Sequence, residues 1–212
     1  EQRKALMVKA GHMPHVLNMT ATPIPRTLAL TLYGELDISV LNEKPKDRLP
    51  IITKLVSPNS TKEVYEAVDQ KLAQGQQMFV VCPLISESSE LEANSAEATY
   101  EKLSKGRFKH RRVGLLHGKL KPQEKQDIME RFVAGKLDIL VSTTVIEVGV
   151  DVPNASIMMI ETAERFGLAQ LHQLRGRVGR SGQQGYCYLM LDDSKAPSRR
   201  LQALETTNDG FK

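Results

Sequence analysis

ITKLVSPNSTKEVYEAVDQKLAQGQQMFVVCPLI, residues 52–85, holds one strand–helix–strand unit and decides how the rest of the chain is read. ITKLVS (52–57) reads as a strand. In STKEVYEAVDQKLAQG the apolar residues Val64, Ala67, Val68 and Leu72 recur with a helical period, with Ser60 placed as N-cap and Gly75 as stop. MFVVCPLI is a nearly unbroken apolar run, the pattern of a strand buried on both faces of a parallel sheet. Beyond it come a polar helix (about 90–105), the strand VGLLH, the helix PQEKQDIMERFVAG and the strands DILVST and SIMMIE. A helix near 168–178, the strand YCYLML and a last helix from about Ser198 complete the series. On the amino-terminal side, LNEKPKDRLP is rich in charge and proline and reads as a linker. A short strand (HVLNM, 15–19) and a helix from Arg26 to about Tyr33 precede it. Short buried strands alternating with helices imply an α/β fold with a doubly wound parallel sheet. Ligands of such sheets sit at the carboxyl ends of the strands, and each motif below follows a predicted strand.

Composition narrows the function classes. At 41% hydrophobic and 25% charged residues, the 212-residue chain has enough apolar material for a core. Aromatic residues make up 5% with no Trp, which argues against a base-stacking platform. The net charge of +4 is compatible with phosphate contacts and equally with a bland basic surface. Cys82 and Cys187 each lie in an apolar run and form no CxxC pair, so buried thiols in a reducing cytoplasm are expected, without a zinc site or disulfide framework. No apolar run approaches the roughly 20 residues of a membrane span. The opening EQRKALMVKAG reads as the end of a helix in progress and ETTNDGFK as an unfinished end, so a piece of a longer chain is expected.

Four segments carry chemistry. QLHQLRGRVGR, Gln170 to Arg180, places Arg177 and Arg180 three apart, on one helical face. Arginine forks onto phosphate oxygens, and two guanidinium groups suit the charge that develops in phosphoryl transfer. Gly176 and Gly179 permit a close backbone approach. A solvated basic face is the bland alternative. ILVSTTVIEVGVDVP, Ile139 to Pro153, ends a strand in hydroxyl groups. Thr143, Thr144 and free amides there can grip phosphate, and the Asp151 carboxylate suits a ribose hydroxyl or else serves a turn. Glu147 either links sites or is an exposed charge. In LLHGKLKPQEK, His117 and Gly118 close a strand and Pro122 opens a helix whose free amides offer an anion site, with a structural histidine as the alternative. In NMTATPIPRTL, Thr20, Ala21 and Thr22 follow a strand, and Arg26 reaches phosphate or caps its own helix.

These strings resemble motifs VI, V, the glycine turn and motif III (TAT) of superfamily 2 helicases. TATPIPRTLAL and the stretch Arg165 to Arg180 are similar to both the RecG family of bacterial branch-migration helicases and the transcription-repair coupling factors. YGELDISVLNE (Tyr33–Glu43) and VVCPLISES (Val80–Ser88) favour RecG. The resemblance covers essentially the whole chain. It implies the end of a first motor lobe over 1–41, a linker over 42–50, a second RecA-like helicase lobe over 51–195 and the start of a helical hairpin over 196–212. Arg177 and Arg180 would be catalytic, and Gly149, Asp151 and Gln173 would bind nucleotide. His117, Gly118, Thr143 and Thr144 would contact DNA, while Thr20, Ala21, Thr22 and Glu147 would couple the two activities.

The cofactor implied is ATP, with Mg2+ held by the first lobe. No GK[ST] triplet follows a glycine-rich turn and no DExH precedes TAT, so by itself the chain is expected not to hydrolyse ATP. Implied partners are branched duplex DNA and the first lobe and wedge domain of the same protein, in a monomeric, cytoplasmic, nucleoid-associated enzyme without membrane contact. Two departures from RecG stand out. Lys44-Pro45-Lys46-Asp47-Arg48 replaces a Pro-Pro-Gly-Arg run, and the translocation loop that would follow Phe211–Lys212 is not in this sequence. A coupling-factor-type translocase and a nucleic-acid-binding module without motor function are the alternatives. A dinucleotide-binding enzyme does not fit, because GRVGRSG lies at a helix and not directly after a strand.

Overall fold

The computed structural model describes residues 17, 39, 49–83, 89–143, 152–179, 182–192 and 197–206. The chain divides into two compact units, Glu1–Ser39 and Val40–Lys212. All described elements lie in the second. They are β1 (Ile52–Val56), α1 (Thr61–Ala73), β2 (Gln77–Cys82), α2 (Ser89–Lys105), β3 (Val113–Leu116) and α3 (Pro122–Val133), followed by β4 (Ile139–Thr143), β5 (Ala155–Ile160), α4 (Leu168–Arg175), β6 (Tyr186–Met190) and α5 (Arg199–Thr206). The six strands form one sheet in the order β1-β6-β5-β2-β4-β3, and every pair in it is parallel. The expected doubly wound parallel sheet is therefore present. Thr20–Thr22, the 15–19 strand, the Arg26–Tyr33 helix and most of the linker fall outside the described residues.

Side chains alternate between two cores. Phe79, Val81, Leu140, Met158, Ile160, Cys187 and Leu189 face α3, α4 and α5, where Phe132, Leu171, Leu174, Leu201 and Leu204 meet them. Met78, Val80, Cys82, Ile139, Val141, Ile157 and Met159 face α1 and α2, against Tyr65, Val68, Leu72, Ala96 and Leu103. The connections β1 to β2 and β2 to β3 move one way across the sheet, and their helices share one face. Those from β3 to β4 and β5 to β6 move the other way, and their helices share the opposite face. A single hand of crossover requires this division. The chain leaves β2 and β5, which are neighbours, in opposite directions, so the switch-point crevice opens between their carboxyl ends.

Two local expectations change. Ser60 occupies the N-cap of α1, but its side chain makes no capping bond; a 3₁₀ turn over Pro58–Ser60 leads into the helix, and its hydroxyl lies 3.3 Å from that of Ser57. The helix near 168–178 ends at Arg175, with Gly176 as its cap.

Polar side chains fix how helices leave the sheet. The buried Gln77 amide donates to the carbonyls of Phe132 (2.6 Å) and Leu137 (2.7 Å), tying the exit of α3 to the start of β2. Asp138 accepts from the Arg112 backbone N–H at 2.8 Å and from its guanidinium at 2.6 Å. Partial burial works against the Asp138 charge, but these bonds outweigh it and hold the carboxyl below its ordinary value. Gln77→Leu removes the donor shared by both carbonyls, leaving that of Phe132 with the Gly135 N–H at 3.0 Å, and should lower unfolding stability by about 1–3 kcal/mol in urea titrations. Asp138→Asn should cost about 1 kcal/mol at neutral pH, since Arg112 is 58% exposed. Because the folded value is depressed, the gap between wild type and variant should close as pH falls below about 4; a gap independent of pH would remove the charge from the explanation.

Candidate functional site

The paired strands bring several of the residues singled out in the sequence to one edge. Leu116 is level with Ser142 and Cys82 with Thr143, so His117–Gly118, Thr143 and Cys82–Pro83 lie side by side at the carboxyl ends of β3, β4 and β2. Thr143 is 2% exposed there. The His117 imidazole is turned inward. Its Nδ1 is buried without a partner, and its Nε2 stands 3.7 Å from a Glu97 carboxylate oxygen on α2, beyond hydrogen-bond reach. Gly118 is exposed at the turn, which is closed by the Leu120 N–H bonding the His117 carbonyl. The anion site expected at the start of α3 is compromised, because the Glu124 carboxylate accepts the Lys121 N–H at 2.8 Å and places a negative charge there.

The arginine segment lies elsewhere. Arg175, the last residue of α4, is 5% exposed. Its guanidinium donates to the Leu204 carbonyl of α5 at 2.9 Å and to His172 Nδ1 at 3.0 Å. Arginine has no acceptor, so His172 must present a bare Nδ1. Arg177 sits past the helix end, its N–H bonded to the Leu174 carbonyl. Its guanidinium makes no hydrogen bond or ion pair among the described residues. Gly179 follows with φ +70° and packs against Gly185, just before β6, and Ile51, just before β1. Arg177 therefore lies past the helical face expected for it, because Gly176 caps the helix. The arginine turn lies at the amino-terminal edge of the sheet, not at the carboxyl ends where ligands were expected.

Motif V connects the two edges. Thr143 is at the carboxyl end of β4, whereas Val152, the residue after Asp151, bonds through its carbonyl to the Ala155 N–H at the start of β5. Strands of five or six residues separate these edges by about 15–20 Å. Gln173 is exposed on α4. Thr144, Glu147, Gly149, Asp151 and Arg180 lie outside the described residues.

At the switch-point crevice the structure adds residues that the sequence did not single out. Glu161 continues β5 beyond Ile160; burial raises its carboxyl above the ordinary range, and one carboxylate oxygen has no partner. Thr162 has φ 49°, rare for a β-branched residue, and donates to the Asp192 carboxylate at 3.0 Å. The only sequence signal for this pair was a polar dipeptide directly after a buried strand.

Comparison with known proteins places this arrangement. The family described as helicase conserved C-terminal domain matches residues 60–182. The ATP-dependent DNA helicase RecG of Thermotoga maritima is 52% identical over 213 residues, covering 100% of this chain and 27% of that protein. RecG of Escherichia coli is 51% identical over 216 residues, covering 99% of this chain and 31% of that protein. The solved structure of RecG bound to a three-way DNA junction superposes with a TM-score of 0.73 at 49% identity, over 90% of this chain and 25% of that one. The chain thus spans less than a third of the RecG proteins it matches. It belongs to the helicase conserved C-terminal domain family, and along its length it is similar to the corresponding part of the RecG helicases.

Proposed function

We propose that the chain is the second motor lobe of an ATP-dependent DNA helicase that remodels branched DNA. The observation that carries this reading is the division of labour within QLRGRVGR. Arg175 is buried and spent on α5 and His172, whereas the Arg177 guanidinium has no partner among the described residues. A guanidinium without a partner among the described residues suits a phosphate brought by another lobe. Arg177 and Arg180 would stabilise charge on the transferring phosphoryl group, and Gly149, Asp151 and Gln173 would hold nucleotide. ATP supplies the phosphoryl group when bound, with Mg2+ held by the first lobe. Val152 lies at the same strand edge as the arginine turn, which supports grouping Asp151 with it.

The opposite edge is the DNA side of this reading. Thr143, Thr144 and the exposed turn at Gly118 would meet phosphates. His117, turned inward, would set that turn from behind, so the backbone amides and not the imidazole would make the contact. Glu147 lies on the connection between the edges and would couple them, together with Thr20, Ala21 and Thr22. The wedge domain and first lobe would belong to the same protein, acting as a monomer in the bacterial cytoplasm at the nucleoid.

In the full-length enzyme, Arg177→Ala and Arg180→Ala should each lower ATP turnover by about 10³-fold or more while ATP binding changes little. Near-normal turnover in either would refute its assignment. DNA-stimulated ATPase should be markedly greater on forked DNA than on linear duplex of matched length; equal stimulation would turn the reading toward a translocase of the coupling-factor type.

A further inference from the structure

Two residues outside the arginine motif lie at the junction that its turn packs against. The Gln184 side-chain amide donates to the Pro50 carbonyl at 2.6 Å and to the Gly185 carbonyl at 3.0 Å. The Gly185 carbonyl also accepts the Ile52 N–H at 2.9 Å. Gly185 lies against Gly179 so closely that a Cβ on it would stand 3.1 Å from the Gly179 Cα and 3.2 Å from Ile51 Cγ1. The arginine turn, the entry to β6 and the entry to β1 therefore form one packed junction. Pro50–Ile52 is where the chain enters the sheet after the charged stretch 42–50.

We infer that Gln184 and Gly185 are positioning residues for Arg177, fastening the Gly176–Gly179 turn to Pro50–Ile52 so that the arginine moves with the incoming chain. This rests on the reading of Arg177 given above. The two glycines are not equivalent. Gly179 needs its positive φ, so a side chain there strains the backbone as well as crowding it. Gly185 has no such φ, and alanine there acts through contact alone. A Cβ at 3.1 Å requires the neighbouring backbone to yield by a few tenths of an ångström, and the Gly179 backbone lies two residues from Arg177. Displacements of this order at a reacting group cost rate steeply, with about 10²-fold for a full ångström.

The test uses the full-length enzyme at saturating DNA. Gly185→Ala should lower kcat for ATP hydrolysis about tenfold, with KM for ATP and the thermal midpoint little changed. In an Arg177→Lys background, assayed at enzyme concentrations high enough to read its residual turnover, Gly185→Ala should have almost no further effect, because the group it positions is already gone. An equal loss in both backgrounds means general damage and overturns the inference. Gln184→Ala should reproduce the effect more weakly and Gln184→Lys, which keeps a long donor, should restore it; should Gly185→Ala fail to fold, this pair carries the same comparison. Wild-type turnover in Arg177→Lys would overturn the arginine assignment itself. Normal turnover in Gly185→Ala beside a crippled Arg177→Lys would overturn this inference alone.

Discussion

Every peptide group in β2, β4 and β5 lies where water cannot reach it, since all residues of these strands are buried. Parallel pairing to neighbours on both sides is the only means of satisfying those groups. The other features follow from this. Helices must cover both faces, crossovers must divide by direction, and polar residues are driven to the two strand edges. Chemistry can then be placed only at those edges, and the fold separates them by the length of a strand.

That separation gives the domain two distinct polar edges. Hydroxyl groups and an exposed turn gather at the carboxyl ends of β3 and β4, and the arginine turn lies at the amino-terminal ends of β1 and β6. Four basic side chains of the run Lys105–Arg112 are committed to ion pairs. Arg107 pairs with Glu66, Arg111 with Asp69, Arg112 with Asp138 and Lys105 with Glu101. Arg107, Arg111 and Arg112 thus brace the entry to β3 against α1 and the start of β4.

The sequence disclosed the sheet well, because buried parallel strands are apolar throughout and the helices between them keep a clear period. It disclosed the arginine and threonine strings too, since their chemistry is written in residue types. It did not disclose which arginine is spent internally. Arg175 and Arg177 differ in whether a carbonyl 29 residues downstream turns toward them, and that depends on how α5 packs. The end of α4 was misplaced for a related reason: Gly176 can stand within a helix or cap it, and the packing of Gly179 on Gly185 settles the matter. Glu161 and Thr162 escaped notice because burial of an acid and a positive φ at threonine are tertiary properties with no local pattern.

The placement of β1 has a consequence for how the lobe is made. Among the described residues its only partner in the sheet is β6, so Ile52 must wait for Tyr186. During synthesis at ~5–20 residues per second, β1 remains unpaired for about 7–27 seconds while some 130 residues emerge. The intervening strands can assemble without it. Closing so large a loop is the slow kind of contact formation, and it also builds the junction of Pro50, Ile51, Gly179 and Gly185. The arginine turn is therefore among the last parts of the domain to take shape, so a nascent or partly folded chain would have the rest of its sheet before the turn that carries Arg177.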